Sequence, residues 1–311
     1  MERRDFLKFT AAAGIGLGLQ QLPFANSAGA AESNVPASGA KSDLVAVRNG
    51  EPEAMFDRGI AALGGMGRFV KRGQTVLIKP NASPGNSPEY ASDTNPALVA
   101  QIIKHCHEAG AAKVLVTDNT FTWGNRSWLG NFEKTGIGEA TTGNRAQLVP
   151  AQQERYYQEV TVNGVTLKKT KVNVALLESD VLINVPILKH HGGATMTAAI
   201  KNLMGLVWDR RFYHSRGLNQ CVADFLRYRK PDLNVLDAYR VLTNNGPQGG
   251  NLNDVRLVKM QFLSTDPVAT DAFGARLMGR EPFDIEYIRM ANSMGFGHAD
   301  PNRLNINRIT I

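Results

Sequence analysis

Cysteine is scarce: Cys106 and Cys221 are the two in 311 residues. They can make at most one disulfide, and sequence alone does not show whether they meet. A ferredoxin-type cluster takes about four cysteine ligands, so no iron–sulfur cluster is expected of this chain by itself. Runs of like charge are lacking too. The formal charge of +7 is spread along the chain, which argues against nucleic acid as a partner and suits a small anionic ligand. Neither an internal repeat nor a heptad pattern is visible, which excludes solenoids and coiled coils. What remains, 43% apolar and 20% charged residues, is the composition of an ordinary globular protein.

The first residues carry an address. Arg3 and Arg4 stand side by side, Phe6-Leu7-Lys8 follow, residues 9–22 are apolar and glycine-rich, and small residues surround Ala28-Gly29-Ala30. The apolar stretch is short of the ~20 residues of a membrane span. Charged, apolar and cleavable segments in that order make an export signal, and paired arginines point to the twin-arginine route. Gly14, Gly16 and Gly18 imitate a dinucleotide fingerprint, but no strand precedes them. The expected organisation is a signal over residues 1–30, a linker over 31–43 and a single α/β domain over 44–311. The signal carries +1 of the charge (Arg3, Arg4 and Lys8 against Glu2 and Asp5), leaving +6 on the rest. The twin-arginine translocase is an expected partner during export, and the expected location is the periplasm or another exported compartment. This route carries proteins already folded, often after cofactor insertion, which motivates a cofactor; its identity is left open, a divalent metal being the candidate.

After the linker, short apolar runs alternate with amphipathic stretches. Strands are expected at 44–48, 75–79, 114–117, 181–188, 234–237 and 255–263, with helices at 52–63, 95–109, 267–278 and 284–294 and an edge strand at 304–311. That order predicts an α/β fold, a mainly parallel sheet with helices on both faces and a ligand crevice at the strand ends. Asn163-Gly164, between 160–162 and 165–167, predicts a hairpin. Residues 123–149 are polar and aromatic, with glycines that break any long periodicity, and a short α/β excursion is expected around 138–149.

Polar residues follow the strands in a pattern. The second is followed by Lys79-Pro80-Asn81, the third by Asp118-Asn119, the fourth by Lys189-His190-His191, and Asp237 ends the fifth. Ligands of parallel α/β sheets bind beyond the carboxyl ends of the strands. A glycine pair, Gly192-Gly193, then leads to a helix-like run with Lys201 and Asn202, whose opening amides would favour an anion. On this reading Lys79, Asn81, Lys189, Asn202 and Gly246 bind an anionic small molecule, while His190, His214 and Lys201 carry acid–base chemistry. Crowding depresses lysine pKa values, so one lysine could serve as a neutral base or a Schiff-base nucleophile. Asp118, Asp237 and His190 are candidate metal ligands, with His214 as a further donor. His105 and His107 sit two apart on a helix and face different directions. Asp266-Pro267 reads as a helix N-cap with proline in the first turn, and Asp271 as an exposed carboxylate within that helix.

Taken together, Val-Leu-Ile-Lys-Pro-Asn (76–81), Thr94-Asn95-Pro96, Glu108-Ala109-Gly110-Ala111, the run from Asn184 to His190, Ile200-Lys-Asn-Leu-Met-Gly205, His214, Asp237, Gly246-Pro247 and Asp266-Pro267 form a set. In these segments, from about Leu44 to Gly297, the chain resembles the bacterial and archaeal family labelled domain of unknown function 362. The resemblance implies an α/β fold with an undefined role. Many relatives add a ferredoxin-like segment and are described as iron–sulfur proteins, but this chain lacks those cysteines. Two functions therefore stand open: an exported enzyme on an anionic small molecule, and a periplasmic ligand- or cofactor-binding accessory protein serving a redox or maturation partner.

Overall fold

The computed structural model describes residues 42–121 and 127–311; the expected signal, and the linker up to residue 41, lie outside them, as do residues 122–126, where the glycine-broken stretch begins. The first half of the domain runs β1 (Leu44–Arg48), α1 (Pro52–Ala62), β2 (Thr75–Pro80), α2 (Pro96–Glu108), β3 (Lys113–Val116), α3 (Trp128–Lys134), α4 (Ile137–Thr142) and β4 (Gln147–Leu148). A hairpin of β5 (Tyr157–Thr161) and β6 (Lys169–Asn173) leads to α5 (Val174–Glu178), β7 (Val181–Val185), β8 (Ile187–His191) and β9 (Thr195–Thr197). Then come α6 (Ala199–Asn202), α7 (Arg210–Arg216), α8 (Leu218–Phe225), β10 (Leu233–Leu242), β11 (Val255–Ser264), α9 (Pro267–Leu277), α10 (Glu286–Ser293) and β12 (Ile306–Thr310).

The main sheet has the order β12-β1-β11-β10-β7-β2-β3-β4, with β8 on β10 and β9 on β8. Pairing is parallel throughout, except where β11 meets β1 and β10 and where β9 meets β8. The fold is therefore α/β, as the strand–helix alternation predicts.

Strand periodicity explains the layering. Along β1, β2, β3 and β7, Leu44, Ala46, Leu77, Leu115 and Leu182 enter one apolar core. Their neighbours Val45, Val47, Val76, Ile78, Val114, Val116, Val181 and Ile183 enter another. Alternate side chains of a strand leave opposite faces, so a strand apolar at every position needs cover on both sides. Met55 and Phe56 of α1 and Ile102 and Cys106 of α2 cover the second face. Phe225 of α8, Phe273 of α9 and Ile288 of α10 cover the first. The cysteines sit in different cores, both as free thiols.

Helix starts follow local chemistry. Asn95 accepts from the Ala97 amide before α2, and Asp266 from Val268 and Ala269 before α9, each with proline at the helix start.

Two local expectations change. In the hairpin, residues 165–167 are not a strand, because the Asp224 carboxylate takes the amides of Val165, Thr166 and Leu167 at 2.7–3.0 Å. The run 181–188 is broken at Pro186, which has no N–H for the ladder. The chain resumes as β8, keeps β10 as a neighbour but exchanges β2 for β9, and stays extended through His191.

Candidate functional site

Because β2, β3 and β7 run parallel, their carboxyl ends open on one rim. Lys79 lies at the end of β2 and Asp118 just beyond β3. Both are buried, and the Lys79 Nζ stands 2.8 Å from Asp118 Oδ1. The ammonium also donates to the Pro80 carbonyl at 2.6 Å and to Asn202 Oδ1 at 2.9 Å, and the second Asp118 oxygen accepts the Ala82 amide at 2.8 Å. Burial lowers the Lys79 pKa while Asp118 opposes that shift. Gly205 packs onto this pair. A Cβ there would lie 1.9 Å from Asp118 Oδ1 and 2.6 Å from the Lys79 ammonium, so only glycine allows the approach.

A ladder of amides braces the floor. Asn81 Nδ2 donates to Asn202 Oδ1, Asn202 Nδ2 to Asn184 Oδ1 and Asn184 Nδ2 to Asn234 Oδ1, at 2.9–3.0 Å each. These side chains come from the end of β2, from α6, from β7 and from β10, so the ladder ties the short helix to the middle of the sheet. A buried polar network fully satisfied in this way rigidifies its surroundings.

Above the floor lies a small cavity of about 50 Å³, bordered by Lys79, Lys189, Lys201 and Arg210 with the carboxylate of Asp118. Lys189 spends its donors on Asn81 Oδ1 at 3.1 Å, the Ser83 carbonyl at 2.8 Å and the Ser92 carbonyl. Burial pushes its pKa down to about 8 against the pull of Asp93 and Asp118. Arg210 is anchored through the carbonyls of Asn119 and Thr120, and its guanidinium stands 4.4 Å from the Phe121 ring centre. Lys201 differs. It is 6% exposed and, among the described residues, makes no hydrogen bond or ion pair. Burial, then Lys189, Arg210 and Lys79, push its pKa down to about 7.

Histidines complete the lining. His214 on α7 has its pKa lowered by burial, then by Lys201 and Arg210. His191 is held well below its ordinary value, first by burial and then by Lys201. Its Nδ1 accepts the Gly193 amide at 3.0 Å, so the neutral ring carries its proton on Nε2.

Of the residues expected from sequence, Lys79, Asn81, Asp118, Lys189, Lys201, Asn202 and His214 border this one cavity. His190, Gly246 and Asp237 do not. Since β8 remains extended, Lys189 and His191 leave one face and His190 the other; His191, not His190, borders the cavity. His190 Nδ1 instead accepts the Gly246 amide at 3.1 Å. Gly246 is there for clearance, because a Cβ would lie 2.0 Å from the His190 carbonyl oxygen. Asp237 is buried away from the cavity, its carboxylate taking the amides of Asn95 and Tyr239. Among the described residues no group of three or more His, Cys, Asp or Glu side chains is placed to hold a metal ion, so the set Asp118, Asp237 and His190 is not assembled.

The anion-binding role expected of the helix start after Gly192-Gly193 also fails. The Ala199 and Ile200 amides are taken by Asp271 at 2.5 and 3.1 Å. Asp271 is thus fully buried rather than exposed. Ser83, Asn119, Thr197, Met204 and Arg210 line the cavity without having been singled out as site residues. Arg210 had a signal, standing four residues before His214 and so on its helical face.

Residues 76–276, from β2 to α9, match the family described as domain of unknown function (DUF362). The chain belongs to the DUF362 family. All the cavity residues named above fall inside the matched region. A thylakoid-associated protein of Synechocystis sp. is 28% identical to this DUF362 chain over 241 residues, covering 75% of it and 72% of the relative. Among solved structures, the lactate racemase apoprotein of Thermoanaerobacterium thermosaccharolyticum superposes with a TM-score of 0.43 at 13% identity. A Thermotoga maritima protein superposes with 0.43 at 11%. The DUF362 chain covers 56% and 60% of those two chains, which cover 75% and 78% of it.

Proposed function

We propose that this chain is an exported enzyme that acts on a small anionic molecule in the strand-end cavity. One observation carries the reading: four cationic side chains, Lys79, Lys189, Lys201 and Arg210, converge with one carboxylate, Asp118, on a single cavity. Lys79 is neutralised by its ion pair, and Lys189 is held by oxygen acceptors near Asp93. Arg210, and Lys201 in its protonated fraction, remain without a carboxylate of their own, and an anion entering the cavity would relieve that charge. The Lys201 pKa is moved down to about 7, the condition for proton exchange near neutral pH, and burial lowers that of His214, which favours its neutral, proton-accepting ring. The twin-arginine pattern at Arg3-Arg4 supports export, and the thylakoid association of the Synechocystis relative is compatible with a membrane-linked compartment.

The test is a panel of small carboxylates and phosphate esters, offered to the purified mature chain and followed by thermal shift and by NMR of the mixture. At least one anion should raise the melting temperature and be converted. Lys201→Met and His214→Gln should lose conversion, with His214→Gln keeping the shift. If both variants change affinity alone and no anion is converted, the chain is a binding or accessory protein instead. If no anion shifts the melting temperature at millimolar concentration, the site reading itself is wrong.

A further inference from the structure

Three lysines border the cavity, but their ammonium groups are not equivalent. Lys79 is fixed by Asp118, Pro80 and Asn202, and Lys189 by Asn81, Ser83 and Ser92. An ammonium whose three hydrogens are all engaged with oxygen is held protonated and presents no lone pair. Lys201 alone of the three has no partner among the described residues, is 94% buried by its 6% exposure, and borders the empty space. It is carried on α6, which is held at its start by Asp271 and at its end by the Asn202 ladder, so its stem is fixed while its tip is free.

We infer that Lys201 is a nucleophile that forms a Schiff base with a small carbonyl-bearing carboxylate, of the 2-oxo acid class. This rests on the anion-binding reading and adds a covalent step to it. Arg210 uses two of its five N–H donors on backbone carbonyls and keeps others for a carboxylate. A cavity of about 50 Å³ keeps the reacting carbon within a bond or two of that carboxylate. The lowered pKa of Lys201, about 7, leaves a large share of the amine neutral near pH 7.5, as nucleophilic attack requires.

The step balances. The Nζ lone pair attacks the carbonyl carbon, the π pair moves to oxygen, and a proton transferred from nitrogen to that oxygen gives the carbinolamine. Loss of the hydroxyl as water leaves a C=N bond, so amine plus ketone give imine plus one water. His214, whose charged neighbours are Lys201 and Arg210, is placed to shuttle that proton, while the Nε2–H of neutral His191 can offer a hydrogen bond but no proton.

The experiment is reductive trapping of the mature chain with pyruvate and cyanoborohydride, read by intact mass and peptide mapping. Oxamate, which has the same shape without an electrophilic ketone, serves in parallel as a thermal-shift ligand and as a competitor. The expected result is one added propionate on Lys201, none on Lys79 or Lys189, suppression by oxamate, and loss of the adduct in Lys201→Arg. Wild-type peptide mapping decides the site even where a variant folds poorly. Oxamate binding without any trapping overturns the covalent step and leaves the anion site standing. Neither binding nor trapping removes both, and adducts scattered over surface lysines or kept in Lys201→Arg overturn the assignment to Lys201.

Discussion

At the scale of single residues the site is governed by contact distances that leave no room for change. Gly205 is the clearest case. Adding one methyl there sets it 1.9 Å from Asp118 Oδ1 and 2.6 Å from the Lys79 Nζ, so the ion pair must open. Opening a buried pair strands a charge, which costs ~3–5 kcal/mol. Gly205→Ala should therefore lower stability in urea denaturation by about that amount and abolish anion-induced thermal shifts. Gly67→Ala is the control: nothing lies within 4 Å of its Cβ position, and its midpoint should stay within ~0.5 kcal/mol of the parent. An unchanged Gly205→Ala would show that the pair is more loosely held than its 2.8 Å separation indicates. Much at this scale was legible beforehand. Lys79 stands at the end of β2, Asp118 just beyond β3 and Lys189 after the apolar run 181–188, and polar residues in such positions are drawn to a common rim. The freedom of Lys201 was not legible, because it depends on where Asn81, Ser83 and Ser92 direct their oxygens, and those residues are about a hundred positions or more away from it in sequence.

Elements decide which neighbours meet. The histidine pair lies beyond the strand expected at 181–188, and outside a strand the sequence carries no alternation to separate the two. In the structure β8 runs through His191, so strand alternation alone assigns His191 to the cavity and His190 to the Gly246 turn. His191→Gln should weaken anion binding several-fold by thermal shift or calorimetry, whereas His190→Gln should leave affinity unchanged; equal effects would mean the alternation does not carry the site. The short helix α6 makes a second prediction. Burial pushes the Asp271 carboxyl up to about 8, against the pull of the Ile200 and Ala199 amides, while in the unfolded chain it titrates near ~3.9. Between those values the native state keeps a proton that the unfolded state has released, so this group's contribution falls as pH rises from about 4 to 8. Asp271→Asn has no proton to exchange. It should cost ~1–3 kcal/mol through one poorly matched amide, yet show a flatter stability profile between pH 5 and pH 8 in urea titrations. A parallel pair of profiles would mean that Asp271 is ionised throughout. That a residue inside a helix is fully buried follows from which element packs on α9, and a single sequence does not contain that information.

For the whole molecule, strand–helix order predicted the mainly parallel sheet covered by helices, because continuous apolar strands demand helices on both faces, and the cavity lies at the strand-end rim. It did not predict that β11 reverses direction, since a strand's own residues do not encode its neighbour's orientation. Compartment is also a property of the whole chain, and the pattern proposed to set it, Arg3-Arg4, lies outside the described residues. If Arg3 and Arg4 are read as a twin-arginine pair, replacing both by lysine keeps the charge of the segment and its apolar stretch intact, so any route that responds only to charge and hydropathy is undisturbed. Arginine and lysine differ instead in the planar, multiply donating guanidinium that a receptor can recognise. Arg3→Lys/Arg4→Lys should therefore leave an uncleaved precursor inside the cell, folded and able to bind the same anion, while the parent chain fractionates outside the cytoplasmic membrane. Should the double variant be exported and cleaved at the parent's rate, the paired arginines are not the signal, and the cavity would have to be studied in another compartment.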